Sequence, residues 1–374
     1  MFGAMRIVSV PLGERGYAIR IGPGLLGRLG IECARLGLGR TCAVISDRTV
    51  APLFAAPALR ALTASGFEPV LVTVPAGETA KTLRSVQACC DQLAARRLER
   101  QSFIVALGGG VVGDLAGFVA ATYLRGLAFV QVPTTLLAQV DSSVGGKVGV
   151  NLRAGKNLVG AFYQPRLVLC DLQTLRTLPD REFRAGLAEV IKYGIIRDGA
   201  LFRRLERDLE ALLGKELTAL AAVVARCCQI KAEVVGQDET ESGLRAILNF
   251  GHTVGHAIEA TSGYGKYLHG EAIAVGQVAA AWLSASVGGL AGAEVDRIEN
   301  LLARAGLPVR IPLPAAQRAR VLTAMRLDKK VRGGELRFVL ADRIGHARWG
   351  REVSMNLIVQ VLNRVAVAPR SSTA

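Results

Sequence analysis

The stretch SFIVALGGGVVGD, residues 102–114, decides the fold class because it joins an apolar run directly to a glycine cluster. The FIVAL run has the composition of a buried parallel strand. The glycines that follow match the pattern GxGxxG where a helix should begin, and such a turn lets a pyrophosphate approach the backbone and the helix N-terminus. The stretch therefore predicts a nucleotide-binding unit, although the same pattern also occurs in glycine-rich turns that bind no ligand.

The first half of the chain alternates apolar, β-branched runs with amphipathic ones, which is typical of a doubly wound parallel sheet. The acid that usually follows the glycine turn by about 20 residues is missing, and Asp47, at the end of an earlier strand, is a better candidate for binding the ribose hydroxyls. The predicted strands are 41–47, 68–75, 102–110 and 128–133, and the predicted helices are 49–65 and 80–99.

The pattern changes after about Pro179, where long helix-compatible segments replace the strand-like runs. The sequence therefore predicts an α/β, Rossmann-like nucleotide-binding domain over residues 1–178 and a mainly α-helical domain over residues 179–374. A short β segment is expected at 335–345. The predicted helices of the second domain are 180–196, 200–236, 244–260, 271–288 and 293–306.

The 374-residue chain carries a net charge of +15, but its Lys and Arg residues are scattered and aromatic residues make up only 5%. This composition favours a small anionic substrate over nucleic acid. The seven cysteines show no CxxC spacing and resemble small buried residues in a reducing compartment. The longest apolar stretch, 103–121, is interrupted by Asp114 and glycines, so no membrane span is expected, and the protein is predicted to be soluble and cytoplasmic.

A second informative run, residues 133–165, mixes polar side chains with glycines and apolar residues. A solvated loop would be less apolar, and a core strand would not carry two lysines. Lysines between glycine turns suit phosphate or carboxylate binding and can act as acids when they are desolvated. The polar residues of this run are Thr134, Thr135, Asp141, Ser142, Ser143, Lys147, Asn151, Lys156 and Asn157.

Three of the four histidines, His252, His256 and His269, lie within 18 residues. The first two share one face of a helix, and imidazole is both the commonest metal ligand and a proton carrier near neutral pH. Glu189, three residues before Lys192 on an apolar helix, would complete a set of two histidines and one carboxylate with an open coordination position. Two structural alternatives to a metal site remain. The histidines would fill a polar corner of the core, and Glu189 would form an ion pair with Lys192.

Seven motifs follow one another in order over most of the chain: GGGVVGDLAGF, VPTTLLAQVDSSVGGK, GKNLVGAFYQP, LAEVIKYG, NFGHTVGHAIE, LHGEA and DKK. Together they resemble the 3-dehydroquinate synthase family. The resemblance implies a Rossmann-like domain and a helical metal-binding domain with the active site in the cleft between them. It also implies NAD and a divalent metal, zinc or cobalt, as cofactors, and a homodimer.

The implied activity is the conversion of 3-deoxy-D-arabino-heptulosonate 7-phosphate to 3-dehydroquinate and inorganic phosphate in the shikimate pathway. The implied steps are oxidation at carbon 5, phosphate elimination, re-reduction, ring opening and intramolecular aldol closure. NAD accepts a hydride in the first step and returns it in the re-reduction, so it stays bound. The metal acts as a Lewis acid on substrate hydroxyls. The two anionic groups of this substrate would account for the many Lys, Arg and Asn residues.

Matched motif by motif, the resemblance divides the histidines between two roles. His252 and His269 join Glu189 as metal ligands, and His256 becomes a phosphate contact and proton-transfer residue. The implied substrate-site residues are Arg125, Asp141, Lys147, Lys156, Asn157, Lys192, Lys231, Arg245, Asn249, His256 and one of Lys329 and Lys330, with Arg125 reaching the phosphate within the chain or from the partner subunit. The implied NAD contacts are Asp47, Glu78, Lys81, Gly110, Val111, Val112, Gly113, Asp114, Thr134, Thr135, Lys147, Lys156, Thr174, Leu175, Arg176 and Thr177.

Three other interpretations stay open. A sibling sugar phosphate cyclase, such as a 2-deoxy-scyllo-inosose, valiolone or amino-dehydroquinate synthase, would share the glycine turn and the metal ligands, but Lys231, Arg245, Asn249 and His256 together favour a substrate with a carboxylate. A metal-dependent polyol dehydrogenase of similar architecture would release NADH on turnover. A non-enzymatic binder of anions or nucleic acid is supported by the positive charge alone.

Overall fold

The computed structural model describes residues 5–263, 265–327, 331–332 and 335–367. The chain divides into two units, of which the first comprises Met1–Pro179 and Lys215–Thr240 and the second comprises Asp180–Gly214 and Glu241–Ala374. Residues 215–240 thus belong to the first unit, whereas the expected division into 1–178 and 179–374 assigned them to the second. Within the described residues, no helix combines the length and apolar character needed to cross a membrane.

A seven-stranded sheet forms the centre of the first unit. The strands of this unit are β1 (Arg6–Val10), β2 (Tyr17–Gly22), β3 (Thr41–Asp47), β4 (Glu68–Val74), β5 (Phe103–Gly108), β6 (Ala128–Pro133), β7 (Lys147–Leu152), β8 (Gly155–Phe162) and β9 (Leu167–Asp171). The sheet order is β1-β2-β9-β6-β5-β3-β4, in which β1 is antiparallel to β2 and the other neighbours are parallel. The strands β7 and β8 form a separate antiparallel hairpin.

Helices cover both faces of this sheet. Since successive side chains of a strand point to opposite faces, both sets are buried beneath helices. With all helices numbered in chain order, those of the first unit are α1 (Leu29–Ala34), α2 (Ala51–Ala64), α3 (Leu83–Ala95), α4 (Gly110–Thr122) and α7 (Leu217–Gln237). In β3, Cys42 and Val44 pack with α1 and α2, whereas Ala43 and Ile45 pack with α3 and α4. The strands are therefore buried on both sides, which explains their continuous apolar runs.

The second unit is mainly helical, as the sequence predicts. Its helices are α5 (Asp180–Ile196), α6 (Gly199–Leu213), α8 (His252–Thr261), α9 (His269–Ser286), α10 (Gly292–Arg304), α11 (Ala315–Leu327) and α12 (Met355–Arg364). Its strands are β10 (Ile311–Pro312), β11 (Val331–Arg332), β12 (Glu335–Arg343), β13 (His346–Glu352) and β14 (Ala366–Val367). The largely buried α9 packs against α5, α8, α10, α12 and β12, so it forms the centre of this unit.

Two of the expected helices, 200–236 and 244–260, are interrupted. The first is divided into α6 and α7 around Lys215, whose φ is +53°. The second begins as a 3₁₀ helix, Leu244–Asn249, and α8 starts only after Gly251, whose φ is +80°. Both predictions were wrong for the same reason, since a residue with left-handed φ ends a helix even where the hydrophobic pattern continues.

Candidate metal centre and nucleotide site

Three side chains from separate helices of the second unit converge on one point. Glu189 lies in the middle of α5, His252 is the first residue of α8 and His269 is the first residue of α9. The Nε2 atoms of His252 and His269 lie 3.6 and 3.5 Å from Oε1 of Glu189, and one donor atom from each residue falls within 4.8 Å of the others. Two imidazoles and one carboxylate at this separation fit a divalent cation with an open coordination position.

Hydrogen-bonding groups behind the cluster orient its members. The Nδ1 atom of His252 lies 3.2 Å from the Phe250 carbonyl oxygen, so Nδ1–H donates there and Nε2 faces Glu189. On the opposite side of Glu189, its Oε2 accepts a hydrogen bond from the ammonium of Lys192. Glu189 and Lys192 are 0% and 1% exposed, so this carboxylate lies in a site that solvent does not screen. The anticipated Glu189–Lys192 pair therefore exists and leaves Oε1 directed at the histidines.

The His269 ring lies between two carboxylates. Its Nε2 faces Glu189, and its Nδ1 lies 3.5 Å from Oε2 of Glu259. Burial alone would lower the pKa of His269, but hydrogen bonding to Glu189 and Glu259 outweighs it and raises the pKa to about 9 in the metal-free protein. A proton therefore occupies the place where a cation would bind, and a cation must displace it.

Glycines let the three helices approach closely enough for this geometry. A Cβ at Gly276 of α9 would lie 2.0 Å from the Gly251 carbonyl oxygen, and a Cβ at Gly270 would lie 1.9 Å from the Ala185 carbonyl oxygen of α5. Both separations are far shorter than a van der Waals contact. The glycine before Glu271 in LHGEA thus has a packing function beside His269.

The remaining histidine of the window, His256, lies one turn after His252 and is exposed. Its ring centroid is 5.1 Å from that of His252 and 5.8 Å from that of His269. Nearby in the chain, Arg245 is buried and the Asn249 side-chain amide donates to Glu241 at 2.7 Å. The second unit thus contains the predicted residues Glu189, Lys192, Arg245, Asn249, His252, His256 and His269, whereas Lys329 and Lys330 lie outside the described residues.

In the first unit, the glycine turn leads from β5 into α4 as expected. A Cβ at Gly110 would lie 2.9 Å from Oγ of Ser142, and a Cβ at Gly109 would lie 3.0 Å from Cγ2 of Thr135. Glycine at both positions therefore lets the turn pack closely against Ser142 and Thr135. The backbone N–H groups at the N-terminus of α4 that follows are of the kind that binds a pyrophosphate.

A polar network connects this turn to the 3₁₀ segment Glu78–Ala80 and to the hairpin of β7 and β8. The Lys81 ammonium donates to Asp114 Oδ2 and to Asn157 Oδ1, both at 2.6 Å, and Glu78 accepts from the Asn151 amide at 2.8 Å. Burial raises the pKa of Asp114 even though the Lys81 charge opposes that shift. The structure thus brings together residues that the resemblance assigned to NAD (Glu78, Lys81, Asp114) and to substrate (Asn157).

A second ion pair of the first unit connects α7 to the polar run. The ammonium of Lys231 donates to both the carbonyl oxygen and Oδ1 of Asp141, each at 2.7 Å. Asp141 lies in a π-helical turn, Ala138–Ser142, a rare conformation that often marks functional sites. Lys231 is 6% exposed, and its two hydrogen bonds to Asp141 fix the position of its ammonium.

The other predicted residues of the first unit are more dispersed. Lys147 begins β7 and Lys156 lies in β8 beside the hairpin turn, so about 13 Å of strand separates them. Arg125 is exposed at the end of a short 3₁₀ segment, Tyr123–Arg125, and three consecutive residues from Leu124 to Gly126 have positive φ. Backbone amides of residues 49 and 50 donate to Oδ1 of Asp47. The buried Thr134, the half-buried Thr135 and the 3₁₀ segment Leu172–Thr177 lie at the carboxyl ends of β6 and β9.

Solved structures define the class to which this fold belongs. A crystal structure of 2-deoxy-scyllo-inosose synthase with carbaglucose-6-phosphate, NAD+ and Co2+ is 29% identical, has a TM-score of 0.88, and covers 96% of this chain and 100% of that chain. The structure of 2-epi-5-epi-valiolone synthase from Streptomyces hygroscopicus with NAD+ and Zn2+ is also 29% identical, has a TM-score of 0.86, and covers 98% and 99%. The protein therefore has the sugar phosphate cyclase fold.

Sequence comparison gives the family within this class. Models described as 3-dehydroquinate synthase N-terminal and C-terminal match residues 71–185 and 186–331. The 3-dehydroquinate synthase of Geobacter metallireducens is 52% identical over 91% of this chain and 94% of its own length. The chain belongs to the 3-dehydroquinate synthase family, as the motifs predicted.

Proposed function

We propose that the protein is an NAD- and metal-dependent 3-dehydroquinate synthase, a phosphorus–oxygen lyase. It converts 3-deoxy-D-arabino-heptulosonate 7-phosphate to 3-dehydroquinate and phosphate. The observation that carries the proposal is sequence identity. Over 91% of its length, the chain is 52% identical to a protein named 3-dehydroquinate synthase. The glycine turn and the Glu189–His252–His269 cluster support it, because the reaction needs a reversible hydride acceptor and a Lewis acid.

The first unit supplies the nucleotide side of the proposal. The N-terminus of α4 and the glycines before it bind the pyrophosphate of NAD, which supplies a hydride acceptor when it is bound. Lys81 holds Asp114 beside this turn and positions Asn157 through the same ammonium. The other proposed contacts are Asp47, Glu78, Thr134, Thr135, Lys147, Lys156 and residues 174–177.

The second unit supplies the metal side. Glu189, His252 and His269 hold zinc or cobalt, which supplies a Lewis acid for the substrate hydroxyls when it is bound. Lys192 donates to the outer oxygen of Glu189 and places a positive charge beside this buried carboxyl group. His256 is exposed and its ring lies next to that of His252 on the same face of α8, so the proposal assigns it the phosphate contact and proton transfer.

Cationic and amide side chains bind the two anionic ends of the substrate. Lys231 is positioned by Asp141, and Asn249 is positioned by Glu241. The proposal assigns Arg125, Arg245, Lys147, Lys156 and one of Lys329 and Lys330 to the same task. A net charge of +15 adds a general attraction for a dianionic substrate. The cytoplasmic location, the homodimer and the lack of a nucleic-acid partner remain predictions.

A substrate comparison tests the proposal against the sibling cyclases. Phosphate release is measured with the heptulosonate phosphate and with a hexose 6-phosphate that has no carboxylate. We expect release from the first substrate only, since a substrate without a carboxylate would offer no second anionic group to Arg245, Asn249 and Lys231. Preferential release from the hexose phosphate would identify a sibling activity. Accumulation of NADH at 340 nm would identify a dehydrogenase.

A further inference from the structure

Glu259 shares the helix face that carries the two histidines of α8. His252, His256 and Glu259 occupy positions i, i+4 and i+7, which lie on one stripe of an α-helix. The sequence alone assigns no function to Glu259, although it contains the spacing HxxxHxxE from His252 to Glu259. The structure places its carboxylate beside a residue of the neighbouring helix α9.

The contact joins Glu259 to the outer side of a proposed metal ligand. Oε2 of Glu259 lies 3.5 Å from Nδ1 of His269, and Nε2 of the same ring lies 3.5 Å from Oε1 of Glu189. The two nitrogens are on different edges of the imidazole, so Glu259 does not compete for the metal position. It contacts the nitrogen that a metal would leave protonated.

We propose that Glu259 is a positioning residue for the metal centre. Its carboxylate accepts the Nδ1 proton of His269, which fixes the tautomer whose Nε2 lone pair points toward Glu189 and makes that nitrogen a stronger donor. This inference rests on the proposed metal site. It goes beyond the three ligands, because it assigns the strength of metal binding to a fourth residue that does not touch the metal.

The two histidine ligands are thereby supported in different ways. The Nδ1 atom of His252 donates to the neutral Phe250 carbonyl, whereas that of His269 faces a carboxylate. A charged acceptor forms the stronger hydrogen bond and withdraws the proton further. Nε2 of His269 is therefore the stronger electron-pair donor to the metal of the two histidines, and the affinity of His269 for the metal depends on Glu259.

The location of Glu259 in α8 argues against a role in stabilising its own helix. Glu259 lies in the last turn of α8, which ends at Thr261, and a negative charge there opposes the helix dipole. The first residue of α9, in contrast, is His269, and a carboxylate next to a helix N-terminus is favourable. Stabilisation of α9 is thus the structural alternative that an experiment must separate from metal positioning.

Cobalt binding separates these two roles without relying on turnover. The wild-type protein, Glu259→Ala and Glu259→Gln are stripped of metal with a chelator and titrated with Co2+, with the visible d–d absorption as the readout. Glu206→Ala is the control, since Glu206 pairs with Arg297 at 2.7 Å within the same unit and neither residue belongs to the cluster. Thermal unfolding of each metal-free protein is recorded in parallel.

We expect Glu259→Ala to weaken Co2+ binding by about 10- to 100-fold and to alter the absorption spectrum. Glu259→Gln should restore much of the affinity, because its amide oxygen still accepts the Nδ1 proton. Glu206→Ala should bind Co2+ as the wild type does. Unchanged affinity in Glu259→Ala, or an equal loss in Glu206→Ala, would overturn the inference. Failure of the wild-type protein itself to bind Co2+ would instead refute the metal site of the proposed function.

Discussion

Replacing Gly270 with alanine should displace the metal ligand next to it. A Cβ at this position would lie 1.9 Å from the Ala185 carbonyl oxygen, about 1.5 Å short of the 3.4 Å at which ordinary contact begins. The obstacle is backbone of α5 and cannot rotate away. Either α9 moves by a distance of this order, or both helices share the movement.

Such a movement is large for a metal site. Ligand distances have to stay within about 0.2 Å of their ideal values, and the His269 and Glu189 ligands are carried by the two helices that must separate. We therefore expect Gly270→Ala to lower Co2+ affinity by at least about 100-fold. Overpacking should also cost about 1–3 kcal/mol of stability and lower the Tm of the metal-free protein by roughly 1–4 °C.

The assay combines a Co2+ titration with thermal unfolding, and Gly292→Ala is the matched control. Gly292 begins α10 in the same unit, and no described atom lies within 4 Å of a Cβ built there. This control should bind Co2+ normally and keep or slightly raise its Tm. If Gly270→Ala binds Co2+ as tightly as Gly292→Ala and unfolds at the same temperature, close packing of α9 on α5 does not determine the metal geometry.

Three further predictions concern charge and proton transfer. His256→Ala should keep its bound metal near the wild-type amount while turnover falls by about 100-fold or more, measured by metal analysis and phosphate release. Lys231→Ala should lose about 1–3 kcal/mol of stability, measured by denaturant unfolding, because both Asp141 acceptors lose their donor. The raised pKa of His269 stabilises the metal-free protein fully below pH 6.5, and this stability should disappear as the pH rises through about 9, measured as Tm against pH.

Each of these predictions has a contradicting result. Loss of metal from His256→Ala would mean that the ligand assignment is wrong. For Lys231→Ala the control is Arg226→Ala on the same helix, an exposed pair with Glu233 at 3.6 Å, and an equal loss in both would exclude a specific contribution from Asp141. A Tm of the metal-free protein that stays constant between pH 6.5 and 9.5 would contradict the assigned environment of His269.

The fold class was predictable because the relevant signals are local. Buried strands such as β5 are continuous apolar runs, and the glycine turn and α4 follow directly in the sequence. The strands β1, β2 and β9 were not predicted, and neither was the hairpin of β7 and β8. The residues of β1, β2, β7 and β8 alternate or contain glycine, so they lack the continuous apolar pattern that identified the central strands. The short β9 does have a continuous buried run, LVLC, and its absence from the prediction has no such explanation.

Spacing alone predicted the type of the candidate metal ligands, two histidines and one carboxylate, but not which two of the three histidines they are. The pair His252 and His256 has the spacing of a two-ligand motif, and only the family resemblance assigned the second ligand to His269. The structure brings His269 to Glu189 by packing α9 against α5, and no local sequence pattern encodes that contact. The contact of Glu259 with His269 was missed for the same reason, because it joins two helices across a turn.

Phosphate release from the heptulosonate phosphate tests the central claim most directly. The metal-free protein is assayed with NAD and Co2+, with each alone, and with neither, while absorbance at 340 nm is recorded. We expect stoichiometric phosphate and 3-dehydroquinate only when both cofactors are present, with no net accumulation of NADH. Phosphate release that is independent of NAD and of metal would contradict the account.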